Sequence, residues 1–530
     1  MSDAMKKLAG KARIKVLFVR PPHHYWPIIN QSDNFLVPLN YPTLAAWIRK
    51  RLDFVDVEIL DCCVEQVGYQ SLEREIRRRR PDVVGIGEKV VYANDALRAF
   101  EVAKKAWPDV VTIAGGHIFT HEPEWALRTC KAIDYVLRFE GEVALEHFLK
   151  VAREGGGPED MLSLCWLDGQ DGPMRFTKLA PALADLDELP PPAFDLMPIK
   201  RYSPFGMLWP RAATIQRGRG CTDTCSFCSW IAMENKHEMD DAGVTHDEPW
   251  YRSKSVDTVL KEVDILYQQF GVRYLFWVDA TWNLDDKWLN AFCDGIIERG
   301  YKLGWWAFVR YDLLPRQHRT GTLRKMVDAG LRHVLVGVER SQPSALEWLN
   351  KHRYSEDKAE EAFHLLRDHY PEVFRQGTFM TGIRSDTAED IQRLLDFAYA
   401  CDVDFAAFHP STPFPGTPLY RQAKEMGWLE ETNFSNYDMF YPVMPTEHLS
   451  RAEVAHWTTW CQANFVQKKP LRYLSRMLSP HPVRRRLHWW FAFSIGRVMA
   501  MQALNHVTGK EKFEGFAGVN KLWKPSWYES

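Results

Sequence analysis

Residues 217–228 read Arg217-Gly-Arg-Gly220-Cys221-Thr-Asp-Thr-Cys225-Ser-Phe-Cys228, three cysteines in eight residues with spacing C-x3-C-x2-C. Three thiolates on one short loop can ligate three corners of a [4Fe–4S] cubane and leave the fourth iron open to a small molecule. Clusters that only pass electrons normally take four protein thiolates, so an open corner points to chemistry at the cluster. Zinc and three structural cysteines are the plainer readings. Zinc wants a fourth Cys or His at a short regular offset, and the nearest candidate is His237.

Outward from this loop, residues 206–425 repeat a strand-then-helix pattern. Apolar runs predict strands at Thr214–Gln216, Tyr274–Asp279, Leu303–Val309, His333–Glu339, Gly377–Ile383 and Phe405–His409. An amphipathic helix, Ser255–Phe270, follows the loop. Six such repeats make a partial (β/α)6 barrel, and polar residues at the carboxyl ends of barrel strands tend to face the ligand. Asp279, Arg310, Glu339 and His409 fall there. Each also has a plainer role, as a helix cap or an ion-pair partner; for Arg310 the partner would be Asp312.

Residues 1–150 carry five short apolar strands separated by helices. The strands are Ile14–Arg20, Val55–Leu60, Asp82–Gly87, Val110–Ala114 and Asp134–Arg138. That alternation predicts a doubly wound, flavodoxin-like parallel sheet, which binds ligands at its carboxyl edge. Gly85, Gly87, Gly115, Gly116 and Gly141 cluster at those strand ends, where a missing side chain lets backbone approach a ligand. There is no G-x-G-x-x-G after the first strand and no P-loop lysine motif.

Residues 151–205 read as a connector with a hairpin across Ser163–Thr177 and the stiff spacer Leu189-Pro-Pro-Pro-Ala193. Residues 426–530 lose the strand–helix rhythm and predict a helical C-terminal domain. Within it, Arg484-Arg-Arg486 precedes His488-Trp-Trp-Phe-Ala-Phe-Ser-Ile-Gly496, a run too short to span a bilayer. The plain reading is a core helix with a basic flank; the sharper ones are a peripheral membrane contact or a wall for an apolar substrate.

The chain has 530 residues, net charge −2, ten cysteines and 21 tryptophans. Its length predicts several domains. The balanced charge gives no general affinity for nucleic acid. The seven cysteines outside the loop have no framework spacing, which suits the reducing cytoplasm, and the basic start has no apolar signal segment.

The loop, with Phe227 before its last cysteine, resembles the signature of the radical S-adenosylmethionine (SAM) superfamily. Four further strings resemble its barrel elements: Val278-Asp279-Ala-Thr-Trp282, Gly337-Val-Glu339-Arg-Ser341, Thr381-Gly382-Ile383 and Pro413-Phe-Pro-Gly-Thr-Pro418. The N-terminal domain, with Pro21-Pro22, Gly115-Gly-His117 and Glu140-Gly-Glu142, looks like the cobalamin-binding domain of B12-dependent radical SAM enzymes. It has no D-x-H-x-x-G motif, so the resemblance implies cobalamin bound without that histidine. His23, His24 and His117 read as contact residues rather than cobalt ligands.

The tail strings Val443-Met-Pro, Ser450-Arg-Ala-Glu453, Phe465–Lys469 and Pro482–Arg486 are similar to the group that includes the anaerobic magnesium-protoporphyrin IX monomethyl ester cyclases. The string His23-His-Tyr-Trp-Pro27 departs from it.

The resemblance implies three cofactors and a site for each. The [4Fe–4S] cluster would sit on Cys221, Cys225 and Cys228. SAM would lie near Asp279, Arg310, Glu339, Ser341 and Gly382. Cobalamin would lie near Gly85, Gly115, Gly116, His117, Gly141 and Glu142. It also implies a 5′-deoxyadenosyl radical that functionalises an unactivated carbon, by methyl transfer to a large apolar substrate or by oxidative cyclisation of a tetrapyrrole. A flavodoxin or ferredoxin-type protein would supply electrons. An RNA-modifying radical enzyme is a third reading, but no second cysteine triplet or RNA-binding appendage is visible. The walls of the reaction cavity are expected from the carboxyl faces of both sheets and from the aromatic tail, including Trp489 and Trp490.

Overall fold

The computed structural model describes residues 3–23, 36–169, 171–202, 211–240, 243–508 and 524–530. His24 and the string to Pro27 lie outside them. The first sheet holds β1 (Ile14–Arg20), β2 (Val55–Asp61), β3 (Val83–Gly87), β4 (Val111–Gly115), β5 (Tyr135–Leu137), β6 (Leu164–Leu167) and β7 (Met174–Phe176), in the order β2-β1-β3-β4-β5-β6-β7. The first five are parallel, as their apolar runs predict. The chain order reverses between β1 and β3, the switch point at which such sheets bind ligands. The predicted hairpin forms, but it pairs antiparallel with β5 and extends this sheet. Much of the expected connector therefore belongs to the first sheet, because the edge of β5 offered unpaired backbone groups.

Helices cover the sheet by apolar stripes at helical spacing. Tyr69–Arg79 buries Tyr69, Leu72 and Ile76 and turns its arginines to solvent. Ala93–Ala106 buries Ala96, Leu97, Phe100 and Ala103. The end of the chain returns here. Tyr528 lies edge-on to Tyr69, its hydroxyl donates to Asp95, and Tyr69 N–H bonds Tyr528 O at 3.2 Å. The last hundred residues are thus not one helical unit.

The second half adds β8 (Ala212–Ile215), β9 (Gly218–Arg219), β10 (Lys236–Met239), β11 (Thr245–Glu248), β12 (Arg252–Ser253), β13 (Tyr274–Trp277), β14 (Gly304–Val309), β15 (Leu331–Glu339), β16 (Phe374–Thr381) and β17 (Phe405–Pro410). Strands β8, β13, β14, β15, β16 and β17 form one parallel six-stranded sheet in that order, the open (β/α)6 barrel predicted. Between the cysteine loop and helix Val256–Asp264, β10 and β11 form a hairpin and β9 pairs with β12.

The aromatic tail does not reach the carboxyl end of the barrel. Helix Pro482–Val507 stacks Phe491 on Phe374 and Phe405, the first residues of β16 and β17, with ring centroids 5.5 and 4.1 Å away. It closes the amino end of the barrel. Trp489 is exposed and donates Nε1–H to Met477 O at 3.1 Å, so Trp489 and Trp490 are not walls of the reaction cavity.

The anchor for this arrangement is Asp404, fully buried just before β17. Its carboxylate accepts from Arg375 N–H (2.9 Å), Arg375 Nη2 (3.1 Å) and Arg484 Nη2 (2.7 Å), with Arg476 Nη1 at 3.2 Å. Burial pushes this carboxyl up, but the arginines and His488 outweigh it and hold it well below the usual carboxylate range. Asp404→Asn leaves those cations buried and should cost about 3–5 kcal/mol. Because the folded carboxyl titrates low, its contribution is complete above about pH 4 and lost as pH falls through the folded value. Denaturant melts of wild type and variant should therefore converge below about pH 4.

Candidate functional site

The carboxyl ends of the two parallel sheets face each other across one cavity of about 420 Å³. The first sheet contributes Gly85, Gly87, Gly115, Gly116, Gly141 and Glu142. The second contributes Gln216, Arg219, Trp230, Met233, Glu234 and Val278. The cavity also runs down the face of the first sheet, over Val16, Phe18 and Val83 and under Leu44 and Leu145. Five of the six residues assigned to cobalamin thus line one space.

His117 is the exception and is not among the lining residues. Its Nε2–H donates to Pro415 O at 2.7 Å, and burial lowers its pKa to about 4, so the ring is a neutral donor. Four residues on, His121 donates to Ala232 O at 3.1 Å. Gly416, at φ +87°, lies flat on the His121 ring, where a Cβ would come within 2.4 Å. The Gly115-Gly-His117 string therefore splits: its glycines belong to the cavity, and its histidine ties the first domain to the loop after β17. His23 packs inside, stacked on Tyr92 and against the Cys63 thiol.

The glycines differ in what they permit. Gly116 has φ +83°, and a Cβ there would meet Glu88 backbone at 2.7 Å, so it is needed to fold the turn. At Gly115 a Cβ would have only Leu137 O near it, at 3.7 Å. Gly115 is the position that leaves the cavity open.

The cysteine loop begins where this cavity ends. Gly220, at φ +81°, brings the chain against Trp250 O, where a Cβ would sit at 1.8 Å. Cys221 is buried and Cys225 and Cys228 are half-buried, all three as free thiols. Burial pushes Cys225 up to about 12 and Cys228 up to about 11, so iron must displace protons to bind. Among the described residues, no three His, Cys, Asp or Glu side chains are gathered tightly enough for a single metal ion. A cubane takes each thiolate on a different iron, and three thiols on one short loop are the donor set that a cubane with one open iron requires. His237, the candidate zinc ligand, instead stacks on Phe139 and faces Asp247.

Barrel residues fix the loop from several sides. Asp279 accepts from the N–H of Arg217 (3.1 Å) and Gly218 (2.6 Å), and burial raises its pKa to about 7 against those bonds. Arg310 donates to Thr222 Oγ1 (3.0 Å), approaches Asp223 (3.4 Å) and pairs with Asp312 (2.6 Å). The resemblance places both near SAM; Asp279 spends its carboxylate on the loop, and Arg310 divides its nitrogens between the loop and Asp312. Ser341 falls in a separate depression with Gln342, Glu356 and Arg393, because buried Arg340 is drawn to Asp386 (2.6 Å) and carries the chain away.

Glu339 remains at the carboxyl end of β15. Its φ is +65°, and the register with β16 shifts there, which re-aims the side chain. Burial raises its pKa, opposed by Lys351, whose Nζ lies 3.8 Å away. Gly382, at φ +67°, is where a Cβ would strike Val454 at 2.6 Å.

Residues not singled out in the sequence complete the junction. Arg219 pairs with Glu142 (2.6 Å) and Glu140 (3.3 Å) across the domains, and Arg252 pairs with Glu140 (2.6 Å). Glu234 accepts from Gly220 N–H at 3.0 Å and from Gln216 at 3.1 Å. Burial raises Glu234 to about 7, partly offset by the Gly220 bond and Arg219. Arg219 stands two residues before the first loop cysteine and was legible by place; Glu234 and Arg252 carry no comparable sequence signal.

The comparisons agree with this geometry. The B12 binding domain family matches residues 25–149 and the radical SAM superfamily matches residues 215–398. A relative from Pyrococcus horikoshii, named uncharacterized methyltransferase PH0819, is 27% identical over 83% of this chain and 90% of its own length. The anaerobic magnesium-protoporphyrin IX monomethyl ester cyclase of Cereibacter sphaeroides is 26% identical over 86% of this chain and 71% of its own. The solved structure of the cobalamin-dependent SAM radical enzyme OxsB, with aqua-cobalamin and SAM bound, has the same fold. Its TM-score is 0.69 at 15% identity, over 96% of this chain and 77% of that one.

Two outcomes test the cavity. Gly115→Leu should fill it with its Cβ in no more than ordinary contact with backbone and abolish corrinoid uptake, read by absorbance after anaerobic reconstitution, while leaving the melting temperature close to wild type. Glu234→Gln tests the buried acid in corrinoid-free protein. Between about pH 4.3 and 7 the folded wild type holds a proton that the unfolded chain releases. Wild-type stability should therefore fall across that window more steeply than that of the variant, in which Asp279 still titrates. The gap should reach about 3–4 kcal/mol by pH 8 and close near pH 4.

Proposed function

Because the chain is a radical SAM enzyme with a B12-binding domain, we propose that it methylates an unactivated carbon of a large, mostly apolar small molecule. When bound, the cluster, SAM and cobalamin supply carbon-radical chemistry and a transferable methyl group. The single observation behind this reading is the shared cavity: the carboxyl end of the B12-binding sheet opens onto the residues that flank the three cysteines.

The roles of this chain's own residues follow. Cys221, Cys225 and Cys228 would hold the cluster. Asp279, Arg310, Thr222 and Asp223 set the shape of its loop. Glu339 and Gly382 keep the proposed SAM contacts at the ends of β15 and β16. Gly85, Gly115, Gly141 and Glu142 would border cobalamin. The apolar lining of the cavity, with Trp230, Met233 and Val278, excludes water from a site where a carbon radical must meet one partner only. A small redox protein of flavodoxin or ferredoxin type would deliver the electron.

Product counting tests the reading. Over several turnovers with SAM, a reductant and substrate, methylation should yield both 5′-deoxyadenosine and S-adenosylhomocysteine. Oxidative cyclisation, the reading favoured by the similarity to the Cereibacter enzyme over 86% of this chain, needs no methyl donor and should yield 5′-deoxyadenosine alone. The triple variant Cys221→Ala/Cys225→Ala/Cys228→Ala should bind no iron and form neither product. SAM cleavage at the wild-type rate in that variant would overturn the cluster assignment.

A further inference from the structure

We propose that the helical face at the amino end of the barrel docks on an anionic lipid surface. This does not rest on the proposed reaction. Residues 454–508 contain eight Lys or Arg and no Asp or Glu, in a chain of net charge −2. Three of those cations, Arg472, Arg476 and Arg484, are bound to Asp402 and Asp404 and hold the helices to the barrel. Lys468, Lys469, Arg485 and Arg486 are exposed, and among the described residues none of them pairs with a carboxylate.

Between these cations runs an apolar stripe with no partner among the described residues. Helix Pro470–Met477 buries Tyr473 and Met477 and turns Leu471 (79% exposed), Leu474 (54%) and, just past its end, Leu478 (77%) outward. Their spacing of three and four residues puts them on one face. Trp489 (55%) continues the stripe, since its Nε1–H bonds Met477 O, and Phe493 (66%) lies one turn further along helix Pro482–Val507. Leucines and a tryptophan flanked by lysines and arginines are the makeup of helices that lie in a membrane interface. Tryptophan favours the headgroup level, and the long cationic side chains reach phosphate while their stems stay apolar.

The charge selects the occupant. A second copy seated symmetrically here would set basic residues against basic residues. A nucleic acid would use the cations but leave the leucine stripe uncovered. A lipid surface with negative headgroups uses both. Among the described residues no helix is long and apolar enough to cross a membrane, so the contact is peripheral. Docking by this end leaves the carboxyl end, with its cysteines and cavity, facing away from the bilayer.

The test uses the full-length protein, reconstituted anaerobically, in co-sedimentation with phosphatidylcholine vesicles with and without added phosphatidylserine. Wild type should bind only the anionic vesicles, and binding should weaken as salt rises. Lys468→Glu/Lys469→Glu/Arg485→Glu/Arg486→Glu and, separately, Leu471→Ser/Leu474→Ser/Leu478→Ser should each weaken binding by about tenfold or more. All seven side chains are exposed, so melting temperature and SAM cleavage without vesicles should stay at wild-type values. Failure of wild type to bind anionic vesicles, equal binding by either variant, or a dimer in sedimentation velocity that the leucine variant abolishes would each overturn the proposal.

Discussion

The pairing of Arg219 with Glu140 and Glu142 is the constraint on which the two halves of the molecule depend. Arg219 sits two residues before the first loop cysteine, and the two glutamates bracket Gly141 at the end of the first sheet. All three side chains are close to fully buried, with Arg252 adding a second cation on Glu140. Such a cluster contributes little net stability, because desolvation offsets attraction. Its contribution is registry. A buried charge without its partner is costly, so only one docking of the two domains keeps every member paired. That docking brings the cavity of the first sheet to the cysteine loop of the second.

The barrel is used asymmetrically for a related reason. A six-stranded open barrel leaves both ends of its interior uncovered. Here the amino end is stoppered by Phe491 stacked on Phe374 and Phe405, with Asp404 gathering arginines from two tail helices. The carboxyl end is left to the first domain. Filling one end with chain that arrives last leaves the other end open toward the thiols, and it frees the outer face of the same helices for contacts unrelated to chemistry.

The strands were legible because both sheets are parallel and buried, so each strand is an unbroken apolar run such as Ile14–Arg20 or Leu331–Glu339. Glycines at strand ends marked the cavity: Gly85, Gly115 and Gly141 all line it, and at Gly85 even an added Cβ would come within 2.9 Å of the Phe18 ring. What could not be read was direction. Asp279 and Arg310 end apolar strands as ligand contacts do, yet Asp279 turns to the loop backbone and Arg310 is shared between Thr222 of the loop and Asp312. The hairpin Lys236-His-Glu-Met239 with Thr245-His-Asp-Glu248 is polar on both faces and carries no period-two signal. The aromatic tail gave its composition but not its destination, since a Trp-rich helix fits either end of a barrel.

Glu339 shows where sequence and structure meet with least slack. A non-glycine residue at φ +65° on the end of a buried strand costs about 1–2 kcal/mol relative to ordinary extended backbone. The surroundings hold it there: Val338 is fully buried one residue before, and Arg340 one residue after is locked to Asp386 and Met380 O. Fixed on both sides, the chain can relieve the bulge only at Glu339. The carboxylate is thereby folded back over Gly337, where a Cβ would meet it at 2.7 Å, and left with Lys351 and Thr378 as its neighbours. Lys351 in turn donates to Gly337 O at 2.7 Å and lies near enough to Cys225 and Cys228 to oppose the effect of burial on both thiols. Strain at one strand end thus places an acid and a base together beside the cysteine loop.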